Sequence, residues 1–257
     1  VGTGAALGNH AMKVQMEMMK ELNLGFEDVA TQIVCRDRYN ELICLLANIA
    51  TSMEKFSTEI RNLQRDEIGE VAEAFDAKKQ VGSSTMPHKR NPITSEQISG
   101  LARLVRSFVH PTFENAVQWH ERDLCNSSNE RFIIPHCFIL TDWIVFKMTS
   151  VFENLMVFPD RMMENMDISK GLPMAESLMT TLVQKGMGRG DAHELMRKTA
   201  LQAVSEQKSL KEMFLDPMKK DSKMLTPAEV DSALDPKNYL GATDEIIERV
   251  LKKLERN

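Results

Sequence analysis

Between Gly82 and Pro92 the chain reads Gly-Ser-Ser-Thr-Met-Pro-His-Lys-Arg-Asn-Pro, and few stretches of this length carry so much usable chemistry. Ser83 and Ser84 offer hydroxyls, Lys89 an ammonium and Asn91 an amide donor. Gly82 gives the backbone freedom at the front, while Pro87 and Pro92 fix φ on either side of the basic residues. A loop of this kind is suited to binding an anionic substrate and to stabilising charge that develops on it, so the pattern points to an enzyme acting beside a carboxylate. A second group runs from Trp119 to Arg131 as Trp-His-Glu-Arg-Asp-Leu-Cys-Asn-Ser-Ser-Asn-Glu-Arg. Its guanidiniums, Arg122 and Arg131, flank the hydroxyls of Ser127 and Ser128, a combination suited to a phosphate monoester.

Other chemistries find less support. Cys35, Cys44, Cys125 and Cys137 show neither C-x-x-C spacing nor a paired histidine motif, so they read as free thiols and imply no metal site. Gly2, Gly4 and Gly8 do not fit the phosphate-cradling G-x-x-x-x-G-K-[ST] pattern. No metal and no cofactor is expected. The formal net charge of −5 argues against a nucleic-acid-binding surface. With no uninterrupted apolar run approaching 18 residues and no signal-like opening, no membrane partner is expected and the reading is cytoplasmic.

The elements that must hold these residues are helical, and the fold class is all-α. The absence of Gly and Pro between Phe26 and Ile68, with Leu42, Leu45, Ile49, Met53, Phe56 and Ile60 at three- and four-residue steps, predicts one long amphipathic helix with a heptad-like seam. The same stepping in Ile98, Leu101, Val105 and Phe108 predicts a second, ended by Pro111. A third is expected from about Ile133 to Phe158, stopped by Pro159. None can bury its apolar stripe alone, so they must pack on one another and on other subunits. Shorter helices follow, with a cap at Gly190-Asp191, a capping box at Thr226-Pro227-Ala228-Glu229 and a final helix opening at Thr243-Asp244. Two domains are expected, a long-helix domain over 1–165 and a small helical domain over 166–257.

The run at 83–91 matches the S-S-x-M-P-x-K-x-N signature of the fumarase/aspartase superfamily at every specified position. The segment Trp119–Arg131, with Thr31–Arg38 and Ile49–Phe56, resembles adenylosuccinate lyase within it. That resemblance implies β-elimination of fumarate from adenylosuccinate, giving AMP, and from the succinylated aminoimidazole carboxamide ribotide (SAICAR), giving AICAR, in purine and AMP biosynthesis. It implies a homotetramer with a twenty-helix core and active sites assembled from three subunits. Ser83 takes the role of base, with Ser84 its competitor. Lys89 and Asn91 bind the substrate carboxylate and steady the intermediate, Met86 lines the pocket, and Glu96 orients the general-acid histidine. Gln32 contacts the succinyl group, and Arg122, Ser127 and Arg131 hold the phosphate. Arg36 and Arg38 support the site or an interface. The general acid is assigned to none of the six histidines here. The resemblance places it in a portion of the enzyme preceding Val1, so that this carboxyl-terminal portion alone is expected to be inactive. The alternatives are 3-carboxy-cis,cis-muconate cycloisomerase, whose substrate carries no phosphate, and a non-catalytic structural homologue.

Overall fold

The computed structural model describes residues 2–74, 90–216 and 224–255. It divides into two compact units, 1–158 and 159–257. The division falls at Pro159 rather than near residue 165, because Pro159 opens a helix, α6 (Pro159–Asp167), that belongs to the second unit. Proline lacks an N–H and is tolerated in a first helical turn, so it ends one unit and starts the next.

The first unit begins with a 3₁₀ turn, Ala5–His10, and α1 (Ala11–Leu22). The Gly-rich opening has a steric reason: Gly4 has a φ of +63° and a Cβ there would lie 2.7 Å from the Cβ of Ala11. Three helices then form the core: α2 (Asp37–Leu63), α3 (Ile93–Ser107) and α5 (Cys125–Glu153), with the short α4 (Val109–Glu114) between the last two. Helix α3 runs antiparallel to α2, since Ser57 meets Ser99 while Glu54 meets Arg103 and Arg106. Helix α5 runs parallel to α2, with Arg36 paired to Glu130 near one end and Phe56 against Phe152 near the other. Two short antiparallel strands, β1 (Val71–Ala72) and β2 (Met156–Val157), pair Val71 with Val157.

Several helix limits differ from the sequence expectation. Helix α2 starts at Asp37, not Phe26. Freedom from Gly and Pro permits a helix but does not nucleate one, and Thr31, Ile33 and Val34 lie in a β-branched stretch that the helix does not enter. The face of α2 buried within the chain is Ile43, Leu46, Ala47, Ala50, Ser57 and Ile60. The expected seam is divided: Ile60 is buried, Leu42, Ile49 and Met53 are half-buried, and Leu45 and Phe56 are 55% and 40% exposed. Small residues at 47, 50 and 57 let α3 and α5 approach closely, leaving Leu45 outward. Pro111 does not end α3; it sits in the first turn of α4, where its missing N–H costs nothing. Helix α5 opens earlier than expected, at Cys125, and closes at Glu153, with Pro135 on an exposed position inside it.

Helix α5 is long and apolar enough to cross a bilayer, with a mean hydropathy of 1.4. Its residues Ile133, Cys137, Ile144 and Met148 are buried against the other helices of the unit, while most of its apolar stretch is not buried within this chain. Burial pushes the Cys137 thiol up to about 11.

The second unit packs α7 (Ala175–Gln184), α8 (Arg189–Glu206), α9 (Leu210–Phe214) and α10 (Pro227–Leu234) around Leu178, Leu182, Met196, Leu210, Phe214 and Val230. The capping box at Thr226 is present, with Glu229 N–H donating to Thr226 Oγ1 and Thr226 N–H donating to Glu229 Oε2. A second box, Ser209 with Glu212, opens α9. Helix α8 takes Gly188 as its N-cap, two residues before the expected Gly190, and Asp191 lies in its first turn. The last helix, α11 (Thr243–Leu254), starts where the sequence places it.

Candidate active site

The candidate residues fall into groups at opposite ends of the three-helix bundle. Ser83, Ser84, Met86 and Lys89, with His88, lie outside the described residues. Asn91 and Glu96 lie at the N-terminal end of α3, beside the C-terminal end of α2. The half-buried Asn91 accepts the Ile93 N–H through its backbone carbonyl at 2.9 Å, and Glu96 stands exposed in the first helical turn.

Arg122, Ser127 and Arg131 occupy the other end. The turn that feeds α5 is organised by Asp123, whose carboxylate accepts from the N–H groups of Cys125 at 2.8 Å and Trp119 at 3.0 Å. Those two bonds hold the Asp123 carboxyl below the usual range, that to Cys125 having the larger effect. They fix the turn that carries Arg122 ahead of α5. Ser127 and Arg131 are four residues apart in α5 and share a face. Arg122 Nε and both polar side-chain atoms of Asn126 are buried with no hydrogen-bond partner among the described residues, and Asn126 is 1% exposed.

Arg36 joins this end to the start of α2. Its guanidinium lies 2.7 Å from the Glu130 carboxylate, donates to the Val34 carbonyl at 2.9 Å and stacks over Tyr39. The side chains of the pair are only 12% and 14% exposed. Gln32 lies exposed in the segment that Arg36 anchors. Arg38 pairs with Glu27 on the surface, away from Glu130.

The two groups are separated by the length of α2, whose 27 residues span roughly 40 Å. One copy of the chain therefore cannot bring Asn91 and Glu96 to Arg122, Ser127 and Arg131. The residues that fix these two groups in place have no comparable signal in the sequence. Asp123 was visible only as part of a charged run, and the ion pairing of Glu130 to Arg36 had no local signal. Among the histidines, His136 Nδ1 lies 2.6 Å from the Phe132 carbonyl and its ring stacks on the Phe132 ring.

Two family models match parts of the chain. The family model described as Lyase matches residues 1–107, and the model described as Adenylosuccinate lyase C-terminus matches residues 171–250. Adenylosuccinate lyase of Methanothermobacter thermautotrophicus is 44% identical over 256 residues, and that of Pyrococcus horikoshii 45% over 255. Over nearly its whole length the chain is therefore similar to adenylosuccinate lyases. It spans 57% and 56% of the length of those two relatives, while they align with 100% and 99% of it. Among solved structures it resembles a fumarate lyase from Mesorhizobium sp. BNC1 at a TM-score of 0.86 and 31% identity, covering 98% of this chain and 55% of that one. The 3-carboxy-cis,cis-muconate lactonizing enzyme of Pseudomonas putida gives 0.85 and 33%, covering 99% and 55%. The all-α architecture of these structures is thus shared.

Proposed function

We propose that the protein is an adenylosuccinate lyase that eliminates fumarate from adenylosuccinate to give AMP, and from SAICAR to give AICAR, in the purine pathway. The observation that carries this reading is the Arg122, Ser127 and Arg131 cluster at the head of α5, in a chain 41–45% identical over nearly its whole length to adenylosuccinate lyases. Two guanidiniums and a hydroxyl suit a nucleotide phosphate, which the carboxymuconate and argininosuccinate substrates lack. The buried, unpartnered Arg122 Nε and Asn126 amide support a partner at this end, because each such atom costs about 1–3 kcal/mol until it is paired.

Elimination requires removal of a proton beside a carboxylate, support for the resulting aci-carboxylate, and protonation of the departing nitrogen. Ser83 serves as the base, with Ser84 the neighbouring hydroxyl. Lys89 and Asn91 bind the carboxylate and stabilise the intermediate, Met86 lines the pocket, Glu96 orients the acid, and Gln32 contacts the succinyl group. No cofactor takes part. Because the two groups of residues lie at opposite ends of one bundle, each site draws on more than one subunit of a homotetramer. The exposed apolar residues Leu45 of α2 and Ile139 and Phe146 of α5 support such an assembly, which would cover them. The setting is cytoplasmic.

The test is fumarate and AMP release from adenylosuccinate by the protein at its full natural length, with argininosuccinate and carboxymuconate as controls. Release from the succinylated nucleotide alone is expected. Turnover of carboxymuconate instead would transfer the chain to the lactonizing reading. The 257-residue chain by itself is expected to be inactive, and turnover by it would place the general acid among its own histidines.

A further inference from the structure

The N-terminal end of α3 is not capped by its own residues: Pro92, in the cap position, makes no side-chain cap bond. The cap comes from Glu73. This carboxylate, 8% exposed, accepts from Thr94 N–H at 3.1 Å and from Ser95 N–H at 2.6 Å, satisfying two of the orphan donors of the first turn. Glu73 is held in turn by Gln64, the residue that closes α2. Gln64 Oε1 accepts from Glu73 N–H at 2.9 Å, and Gln64 Nε2 donates to the Arg90 carbonyl at 3.2 Å. One amide thus joins the backbone before the signature run to the backbone near the end of that run. The strand that delivers Glu73 is pinned independently, since Glu70 N–H donates to the Leu63 carbonyl, Phe158 N–H donates to the Glu70 carbonyl, and Val71 pairs with Val157.

We propose that Glu73 and Gln64 are positioning residues for the reaction, acting through α3. Together they set the height and direction of its first turn, and so the placement of Asn91 and Glu96. The inference rests on the functional reading above, in which Asn91 and Glu96 serve the chemistry. The geometry favours this role over generic stability because every bond of the clasp ends on the C-terminal cap of α2, the stem before residue 75 or the backbone from Arg90 to Ser95. A carboxylate can accept both N–H groups, whereas a carboxamide turns its own N–H₂ toward one of them.

The experiment uses the protein at its full natural length and measures kcat, KM and the melting midpoint. Glu73→Gln is expected to lower kcat by about tenfold or more with KM changed less than about threefold, the signature of misplaced groups rather than lost binding. Glu73→Asp, which keeps the carboxylate, is expected to recover part of kcat. Gln64→Ala, at a half-buried position, is expected to lower kcat in the same way, and the double variant to be no slower than the slower single one. Ser57→Ala serves as the control, since it removes the buried Ser57–Ser99 bond at 2.9 Å elsewhere in the bundle. It is expected to lower the melting midpoint while leaving kcat unchanged. Unchanged kcat in folded Glu73→Gln overturns the proposal, as does an equal loss of kcat in Ser57→Ala. Where Glu73→Gln does not fold, Gln64→Ala decides between the same outcomes. Absence of turnover in the unsubstituted protein overturns the functional reading and this inference with it; turnover that the variants leave intact overturns this inference alone.

Discussion

Arg36 and Glu130 show how one ion pair can fix a candidate site without belonging to it. The two side chains are nearly buried, so removing one partner strands the other charge away from water. Glu130→Ala is therefore expected to lower the unfolding free energy by about 3 kcal/mol, whereas Arg36→Met combined with Glu130→Leu costs much less because no charge is stranded. Urea midpoints of the two variants check this, and equal losses would mean that packing rather than charge holds the joint. In the sequence both residues were visible as types, and Arg36 was read as a supporting residue. Their pairing was not visible, because it links positions far apart along the chain through the packing of α2 against α5. Arg122, Ser127 and Arg131 were legible for the opposite reason: their chemistry is crowded into one turn and the helix that follows it.

Helices were readable from the sequence where local bonds define them and unreadable where neighbours do. The box at Thr226 is set by Thr226, Pro227 and Glu229 alone, and α10 begins as their spacing requires. Lys185 pairs with Glu229 and, with the Thr226 backbone N–H next in effect, pulls its carboxyl down to about 2. A depressed folded pKa contributes stability that is present above the unfolded value near 4.5 and lost as pH falls toward 2. Thr226→Ala is expected to cost about 1 kcal/mol at neutral pH. Its deficit relative to the unsubstituted protein should shrink as the pH drops through that window, which thermal melts from pH 7 to pH 2 measure. A deficit constant with pH would mean the box acts through the threonine alone. Helix α2 gives the contrasting case. Its apolar spacing is visible in the sequence, but which of two apolar faces meets α3 and α5 depends on the small residues Ala47, Ala50 and Ser57, and no periodicity reveals that choice. The cap on α3 was equally hidden, because Glu73 reaches it from another stretch of chain.

At the scale of the whole molecule, the roughly 40 Å between the two groups of candidate residues decides how they can serve one reaction. If Asn91 and Glu96 act on the substrate that Arg122, Ser127 and Arg131 hold, the two groups must come from different copies. Neighbouring chains would then share their sites, and the outward apolar residues of α2 and α5, among them Leu45, Phe56 and Ile139, would be covered in that contact. This arrangement makes inactivation separable. The full-length variants Asn91→Ala and Arg131→Ala are each expected to lose at least about a hundredfold in fumarate release, since each removes one group from every site. Mixed, dissociated and allowed to reassemble, they form some sites in which the defective residues of both variants lie elsewhere. For random equimolar assembly, with Asn91 and Arg131 of each site drawn from different chains, roughly a quarter of the sites are intact and activity should return to that level. Recovery on mixing, absent when either variant is treated alone, would place the two groups in one site built across subunits. If mass spectrometry shows mixed oligomers and activity still does not return, at least one of the two groups lies outside the catalytic site.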